Sequence, residues 1–139
     1  MQTQVQIKVR GYHLDIYGHV NNARFLEFLE EGRWDFLERQ ADIDRFTQAG
    51  MGLAVVNINI NYRRAALVHD VLEISTCLSR IGGKSAVMQQ VITHQATGEV
   101  VVDADVTFVV TDAEAKRAIS LEGPWRELLE SWQASPVSQ

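Results

Sequence analysis

The segment ARFLEFLEEGRWDFLERQ, residues 23–40, decides the fold expected for this chain. Its apolar residues recur every three or four positions, which is the spacing of one face of an α-helix. That face comprises Phe25, Phe28, Leu29, Gly32 and Phe36, and it is widened by Leu26 and Leu37. A face this wide is typical of a helix packed on a sheet, and the glycine within it predicts a close approach of two backbones.

Strand patterns lie on both sides of this helix. Alternating apolar and polar residues predict strands over 4–10, 56–63, 71–80, 85–95 and 100–111, and a short last strand over 117–121. A short helix is predicted over 42–49, before a break at residues 50–52, and a closing helix over 124–133. Because short turns join consecutive strands, the pairing is expected to be antiparallel. The sequence thus predicts an α+β fold, with one long helix on a curved antiparallel sheet.

Length and composition indicate one domain spanning residues 1–139, with a frayed tail from about residue 134. The net charge of −5 gives no general affinity for nucleic acid. No apolar run reaches membrane-spanning length and the first residues do not form a leader, so no membrane association is expected. The single cysteine, Cys77, suits a reducing compartment, and a cytoplasmic location is expected.

The loop DIYGHVNN, residues 15–22, places an acid, a turn glycine, a histidine and two asparagines directly before the long helix. Asn21 or Asn22 is a suitable N-cap because its side-chain oxygen can accept a hydrogen bond from the first helical turn. Asp15 then lies beside the backbone N–H groups that a helix N-terminus leaves unpaired. An isolated loop aspartate usually caps a turn, but this context favours acyl-transfer chemistry, with the acid as base or nucleophile and the N–H groups as oxyanion donors.

Four stretches carry a family resemblance. They are the loop Asp-x-x-Gly-His-Val-Asn-Asn with its FLEFLEE helix, RGYHLD at 10–15, VNININYRR at 56–64 and GKS at 83–85. Together they resemble the hotdog-fold acyl-CoA thioesterases of the 4-hydroxybenzoyl-CoA thioesterase class over nearly the whole chain. One departure is Ala65-Ala66, where a proline that would stiffen the turn is expected after the arginine pair.

The resemblance implies a sheet wrapped around the long helix, and subunits joined edge to edge with active sites at their interface, as a homodimer or homotetramer. It assigns the catalytic acid to Asp15, the loop glycine to Gly18 and the oxyanion-binding N–H to the region of Asn22. His19 orients the loop by hydrogen bonding, lines the pocket or carries a proton. The implied reaction is hydrolysis of medium- to long-chain acyl-CoA to free fatty acid and coenzyme A, with the acid as nucleophile or general base.

The remaining site candidates are residues expected to contact the substrate. They are Tyr17, Val20, Asn21, Phe25, Asn59, Arg63, Arg64, Lys84 and Ser85. The asparagine at 59 belongs to a row with those at 57 and 61, and asparagine is disfavoured in strands, so the row suits an interface or pocket wall. The phosphates of coenzyme A require a basic cluster. Either the arginine pair at 63 and 64 with Arg80 and Lys84, or Lys116 with Arg117, supplies it.

No metal site and no cofactor beyond the coenzyme A of the substrate are expected. His13, His69 and His94 lie on different predicted elements and lack the i, i+4 spacing of a helical metal pair. Two rival functions remain open at this stage. One is a dehydratase of the same fold, for which the long helix lacks a histidine-rich substrate loop. The other is a non-catalytic acyl-CoA-binding or regulatory module, which would bind acyl-CoA without releasing the thiol.

Overall fold

The computed structural model describes residues 1–40 and 43–134. Its elements, in chain order, are β1 Gln2–Lys8, a 3₁₀ turn Gly11–His13, α1 Asn22–Gln40, α2 Ile43–Gln48, β2 Met51–Tyr62, β3 Val71–Ile81, β4 Ala86–His94, β5 Val100–Asp112, β6 Arg117–Ala118 and α3 Pro124–Ala134. None of the helices in these ranges is long and apolar enough to cross a membrane. The frayed tail predicted from about residue 134, and Asp42 at the start of the predicted short helix, lie outside the described residues.

The strands form one antiparallel sheet in the order β1-β3-β4-β5-β2, with β6 added beside the end of β5. Short turns between β3, β4 and β5 make each a neighbour of the next, as the turn lengths predict. β1 and β2 are the two edges. The predicted α+β class, with one long helix packed on the sheet, is confirmed.

The apolar face of α1 packs on the concave side of the sheet. Its predicted core residues Phe25, Phe28, Leu29 and Phe36 are each at most 5% exposed. Leu26 does not join that face as expected, because 38% of it remains exposed on the side of the helix turned toward β2. A Cβ atom at Gly32 would lie 2.6 Å from Ile74 Cγ2 and 2.8 Å from Gln90 Nε2. The predicted close approach of helix and sheet therefore occurs at this glycine.

β2 departs from the predicted strand in two ways. It begins at Met51, so Gly52 lies inside the strand rather than in a break. A bulge interrupts its pairing with β5 between Val55 and Asn57, which leaves Val56 as the extra residue. Val56 is 57% exposed and does not continue the apolar row formed by Ile58 and Ile60. The bulge was not visible in the sequence because strict alternation runs through Val56 into the following residues.

The contact at Gly32 generates a stability prediction. Gly32→Ala should lower the free energy of unfolding by roughly 1–2 kcal/mol, since overpacking a core costs about 1–3 kcal/mol and the better helix propensity of alanine returns up to about 1 kcal/mol. Urea unfolding followed by circular dichroism measures the difference. Gly11→Ala is the matched control because nothing lies within 4 Å of its added Cβ. Equal stability of the two variants would contradict the packing described here.

Candidate active site

The loop before α1 holds the Asp15 carboxylate in one orientation. Asp15 Oδ1 accepts hydrogen bonds from the backbone N–H groups of Tyr17 at 2.9 Å and His19 at 3.4 Å. Gly18 closes the turn by donating its N–H to the Asp15 carbonyl oxygen at 3.1 Å, and it does so at a φ of +78°. A left-handed φ of this kind favours glycine. These bonds engage Oδ1, while Oδ2 accepts no hydrogen bond from the described residues.

One backbone hydrogen bond closes this loop, and two more anchor it to the rest of the protein. The Asp15 N–H donates to the His19 carbonyl oxygen at 2.8 Å, so the loop closes on itself. Val20, only 3% exposed, donates its N–H to the Ala66 carbonyl oxygen at 2.9 Å. Asn21 donates its N–H to the His13 carbonyl oxygen at 2.9 Å. The loop is therefore tied both to the chain before it and to the connection between β2 and β3.

His13 is a structural support for the loop that the sequence did not single out. Its ring lies edge-on to Phe28 at 5.0 Å between centroids, and its Nδ1 accepts the Arg10 N–H at 2.9 Å. Burial, followed by the positive charge of Arg24, lowers the pKa of His13. The histidine therefore favours its neutral form, which Nδ1 needs to accept that hydrogen bond. No sequence pattern signals this role, because it depends on the packing of the 3₁₀ turn against α1.

The start of α1 supplies a backbone donor beside the loop. Asn21 Oδ1 accepts the Ala23 N–H at 2.9 Å, so Asn21 rather than Asn22 is the N-cap. Asn22 is the first helical residue, and its N–H has no acceptor among the described residues. Tyr62 Oη donates to the Asn22 carbonyl oxygen at 3.3 Å and links this helix end to the end of β2. A carboxylate and an unpaired helix N-terminal N–H thus belong to one anchored loop, which is the combination that acyl transfer uses.

The arginine pair after β2 is engaged by carboxylates. Arg63 Nε lies 2.7 Å from Asp103 Oδ2, and Asn61 Nδ2 donates to the other oxygen of Asp103 at 3.0 Å. Hydrogen bonding to Arg63 holds the pKa of Asp103 below its usual value, and the same bond raises the pKa of Arg63. Arg64 Nη1 lies 3.2 Å from Glu99 Oε2. Both arginines already have acidic partners within their own chain.

Lys84 does not lie beside that arginine pair. The first of the two basic clusters predicted from the sequence, which joined Lys84 to Arg63 and Arg64, is therefore not formed. The Arg63 N–H bonds to Val101 at one end of β5, whereas Ala86, two residues after Lys84, pairs with Phe108 near the other end. Val101 and Phe108 are seven positions apart on β5, which is roughly 23 Å along the strand. Lys84 instead shares a surface depression of about 420 Å³ with Arg117. The tertiary structure therefore separates Lys84 from the first predicted cluster and places it with Arg117 of the second.

The other candidate residues fall in four places. Tyr17 and His19 are exposed on the loop, with Tyr17 77% exposed. Phe25 lies in the core and contacts the Tyr62 ring at 5.9 Å between centroids. Asn59 lies on the side of the sheet away from α1, in a depression shared with Asp103. Ser85 lies in the β3–β4 turn, where its carbonyl oxygen accepts the Gly82 N–H. Of these candidates, Tyr17 and His19 bond directly to the Asp15 carboxylate through their backbone N–H groups.

Metal-binding side chains do not converge in the described residues, where no group of three or more histidine, cysteine, aspartate or glutamate side chains is placed to hold an ion. His94 lies 3.3 Å from Asp70, and His13 is held by the packing described above. The loop can therefore offer a carboxylate, a backbone donor and the exposed ring of His19 to a substrate.

The N-cap assignment generates a stability prediction. Asn21→Ala should lower the free energy of unfolding by about 1 kcal/mol, because it leaves the Ala23 N–H without its acceptor. Asn22→Ala should change it by less than about 0.5 kcal/mol, since that exposed side chain forms no cap. Thermal unfolding of both variants checks the contrast, and Asn21→Asp should restore the loss. A larger effect at Asn22 would overturn the assignment.

Comparison with known proteins agrees with this architecture. Residues 9–136 match the family described as the thioesterase-like superfamily. The long-chain acyl-CoA thioesterase FadM of Escherichia coli (strain K12) is 54% identical over 127 residues, which cover 91% of this chain and 96% of that protein. The crystal structure of the probable thioesterase YbaW from Escherichia coli has a TM-score of 0.89 at 53% identity, over 93% of this chain and 97% of that one.

A more distant relative shares the same architecture. The crystal structure of a probable thioesterase from Bartonella henselae has a TM-score of 0.71 at 30% identity, over 87% of this chain and 98% of that one. The resemblance inferred from the loop and helix motifs, to a hotdog-fold thioesterase, is confirmed. The long helix packed on an antiparallel sheet, the loop before that helix and these relatives lead to one conclusion: the chain belongs to the thioesterase-like superfamily.

Proposed function

We propose that the protein hydrolyses medium- to long-chain acyl-CoA thioesters to free fatty acid and coenzyme A. The observation that carries the proposal is the anchored loop, in which the Asp15 carboxylate accompanies the unpaired Asn22 N–H at the start of α1. The substrate class is supported by the similarity to FadM, which is named as a long-chain acyl-CoA thioesterase. No metal or redox cofactor enters the proposed reaction, because the carboxylate and the backbone donor supply the base and the oxyanion contact.

The proposed reaction begins with the thioester carbonyl oxygen accepting the Asn22 N–H. In one route, Asp15 removes a proton from water as the water oxygen attacks the carbonyl carbon. In the other, the carboxylate attacks the carbon itself and water later hydrolyses the resulting anhydride. Negative charge develops on the carbonyl oxygen in both routes, and the helix N-terminal donor stabilises it. The C–S bond then breaks and coenzyme A leaves as its thiol after protonation.

The two routes differ in where solvent oxygen goes. In a single turnover in ¹⁸O-labelled water, direct attack of water places the label only in the fatty acid. Hydrolysis of an anhydride at the aspartyl carbon leaves the label in Asp15, where mass spectrometry of the peptide detects it. Label in Asp15 therefore identifies the nucleophilic route, whereas label in the fatty acid alone also fits an anhydride that is hydrolysed at its acyl carbon.

The catalytic role of Asp15 has a direct test. Asp15→Asn should lower kcat about 10²–10⁴-fold, the usual contribution of a positioned base. Asn22→Ala should cost less than tenfold, because the proposed donor is a backbone group. Product is followed by chromatography, since thiol dyes also react with Cys77. Asp105→Asn is the control, because Asp105 is exposed on the side of the sheet away from α1. Wild-type binding of acyl-CoA without release of free acid would identify a binding module instead.

We further propose that coenzyme A is bound across a homodimer. β2 is a free edge, and antiparallel pairing with β2 of a second copy would place its Tyr62 end beside the partner's Met51 end. Met51 pairs with Asp112, and Asp112 pairs with Arg117. The depression containing Lys84 and Arg117 would then lie about three strand spacings, roughly 14 Å, from Tyr62 of the first copy, whose hydroxyl contacts Asn22 at the end of the Asp15 loop. A pantetheine arm is an extended group suited to bridging such a gap.

This arrangement explains why the nearer arginines are not required for the phosphates. Arg63 and Arg64 are neutralised by Asp103 and Glu99 in their own chain, whereas Lys84 and Arg117 form no ion pair with a described residue. Ser85 follows Lys84 in the same turn and adds a hydroxyl to that end of the sheet. Pairing of two dimers into a tetramer is compatible with this geometry but is not needed for it.

The dimer proposal has a complementation test. Replacing Lys84 and Arg117 together by glutamine should raise KM for acyl-CoA about tenfold or more, since hydrogen bonds to charged groups contribute roughly 1.5–3 kcal/mol. KM for the corresponding acyl-pantetheine, which lacks the nucleotide phosphates, should not change. Lys8→Gln is the control because Lys8 is an exposed lysine on the opposite edge strand.

Mixed dimers then separate binding across the interface from binding within one chain. The heterodimer contains one chain with both basic residues replaced and one chain with Asp15→Asn. If the phosphates bind across the interface, one of its two sites carries both defects and the other site is intact. At acyl-CoA concentrations well below the wild-type KM, the activity of the mixture should then exceed that of either variant alone. If each site is built from one chain, every site in the mixture carries a defect and no recovery occurs.

A further inference from the structure

A groove lies between the second half of α1, α2 and the first half of β2. Its volume is about 360 Å³ and its lining is mainly apolar, with Trp34, Leu37, Leu53, Val55 and Phe108 as its main hydrophobic residues. Two of them are unusually exposed for their size, Trp34 by 49% and Val55 by 43%. Large apolar side chains that remain exposed around a concave surface are typical of a binding site.

Two rows of side chains connect this groove with the Asp15 loop. The inward-facing residues of β2 are Met51, Leu53 and Val55 before the bulge and Ile58, Ile60 and Tyr62 after it. Leu26, Glu30 and Trp34 recur every four residues on α1 and therefore share one face. The two rows run side by side, because Tyr62 contacts the start of α1 and Met51 lies beside its second half.

The bulge at Val56 is what keeps the β2 row continuous. Without the extra residue, strict alternation would put Val55 and Ile58 on opposite faces of the sheet. With it, Val55 lines the groove and Ile58 packs against the core on the same side. An apolar floor thus extends from the Asn22 end of α1 to the groove.

The dimensions of this path match those of a long acyl chain. Asn22 is eight residues from Glu30 and twelve from Trp34, so the groove begins about 12 Å along the helix axis and Trp34 lies at about 18 Å. The hydrocarbon core of a bilayer is about 30 Å thick and contains two acyl chains end to end, so one long chain reaches roughly 15 Å. A chain whose carbonyl lies at the Asn22 N–H would therefore place its far end in the groove, whereas a short chain would not reach it.

The charged residues of the groove do not block such a chain. Glu30 is exposed at the mouth, where its carboxylate can remain in water. Arg33 is half-buried, but its guanidinium donates to Gln90 Oε1 at 3.1 Å and is thereby engaged with the core of the protein. The carbon stems of both side chains can lie along apolar surface while their charges are satisfied elsewhere.

We infer that this groove binds the distal part of the acyl chain and thereby sets the preference for chain length. The inference rests on the proposed thioesterase function, and it assigns the groove to the substrate rather than to a second copy of the chain. Each methylene that enters apolar surroundings should raise kcat/KM about fourfold. The value of kcat/KM should therefore increase with chain length until the chain reaches the end of the groove near Leu37.

Two adjacent glutamates on α1 provide a matched test. Glu30→Trp fills the mouth of the groove, while Glu31→Trp makes the same change in charge and volume on an exposed position outside it. The measured quantity is the ratio of kcat/KM for hexadecanoyl-CoA to that for hexanoyl-CoA. Glu30→Trp should lower this ratio at least about tenfold, because excluding two methylenes alone removes roughly 16-fold. Glu31→Trp should keep it within about twofold of wild type.

If Glu30→Trp fails to fold, the same comparison is made on β2, with Val55→Trp as the test variant and Val56→Trp as its control. Equal ratios in folded Glu30→Trp and Glu31→Trp overturn the inference while leaving the thioesterase proposal intact. If, in addition, Glu30→Trp alone changes the sedimentation coefficient, the groove is covered by another copy of the chain. If wild type hydrolyses no acyl-CoA of any length, the thioesterase proposal itself fails, and the acyl-chain assignment fails with it.

Discussion

The close approach of α1 to the sheet at Gly32 is the constraint on which the rest of the structure depends. Gln90, which is fully buried on β4, stabilises the contact by donating its Nε2 to the Leu29 carbonyl oxygen at 2.8 Å and to Thr76 Oγ1 at 2.9 Å. Arg33 donates to the amide oxygen of the same glutamine. A buried amide with every partner in place specifies one arrangement, because an unsatisfied one would be costly. The helix is thereby fixed in both position and rotation.

The fixed helix has the Asp15 loop at its N-terminus and an apolar groove along its second half. At the N-terminus, the loop is held by His13 and Ala66, so the Asp15 carboxylate does not depend on the loop alone for its orientation. Further along, the face of α1 turned toward β2 is not covered by the sheet, and Leu26 and Trp34 remain exposed there. A rigid helix that joins the proposed catalytic loop to an apolar groove suits the proposed substrate, which has a reactive head and a long tail.

β2 is a free edge of the sheet. Long exposed edge strands are usually protected by charge, bulges or a partner. β2 has a bulge, but its polar asparagines face away from α1 and Asn61 is bound to Asp103. The two arginines that follow the strand are occupied by carboxylates, and Lys84 lies at the far end of the sheet. Within one chain, Asp15 is therefore remote from Lys84 and Arg117, the basic side chains that form no ion pair with a described residue.

Much of this protein could be predicted from local patterns. Helical spacing identified α1 and its buried face, alternation identified β3, β4 and β5 nearly to their ends, and the residues of the Asp15 loop indicated its family. These predictions hold because periodicity and turn chemistry act between residues close in sequence. The sequence allows Asn21 or Asn22 as the N-cap of α1, and the structure selects Asn21.

The sequence by itself determined the elements and the loop that marks the family, since both depend on neighbouring residues. Only the tertiary structure decided which distant groups meet. It placed Lys84 with Arg117 rather than with Arg63, supported the loop through His13, inserted the bulge at Val56 and left the groove beside Trp34 open. Each of these features depends on strand order, register and packing between residues far apart in the chain. No local pattern carries that information.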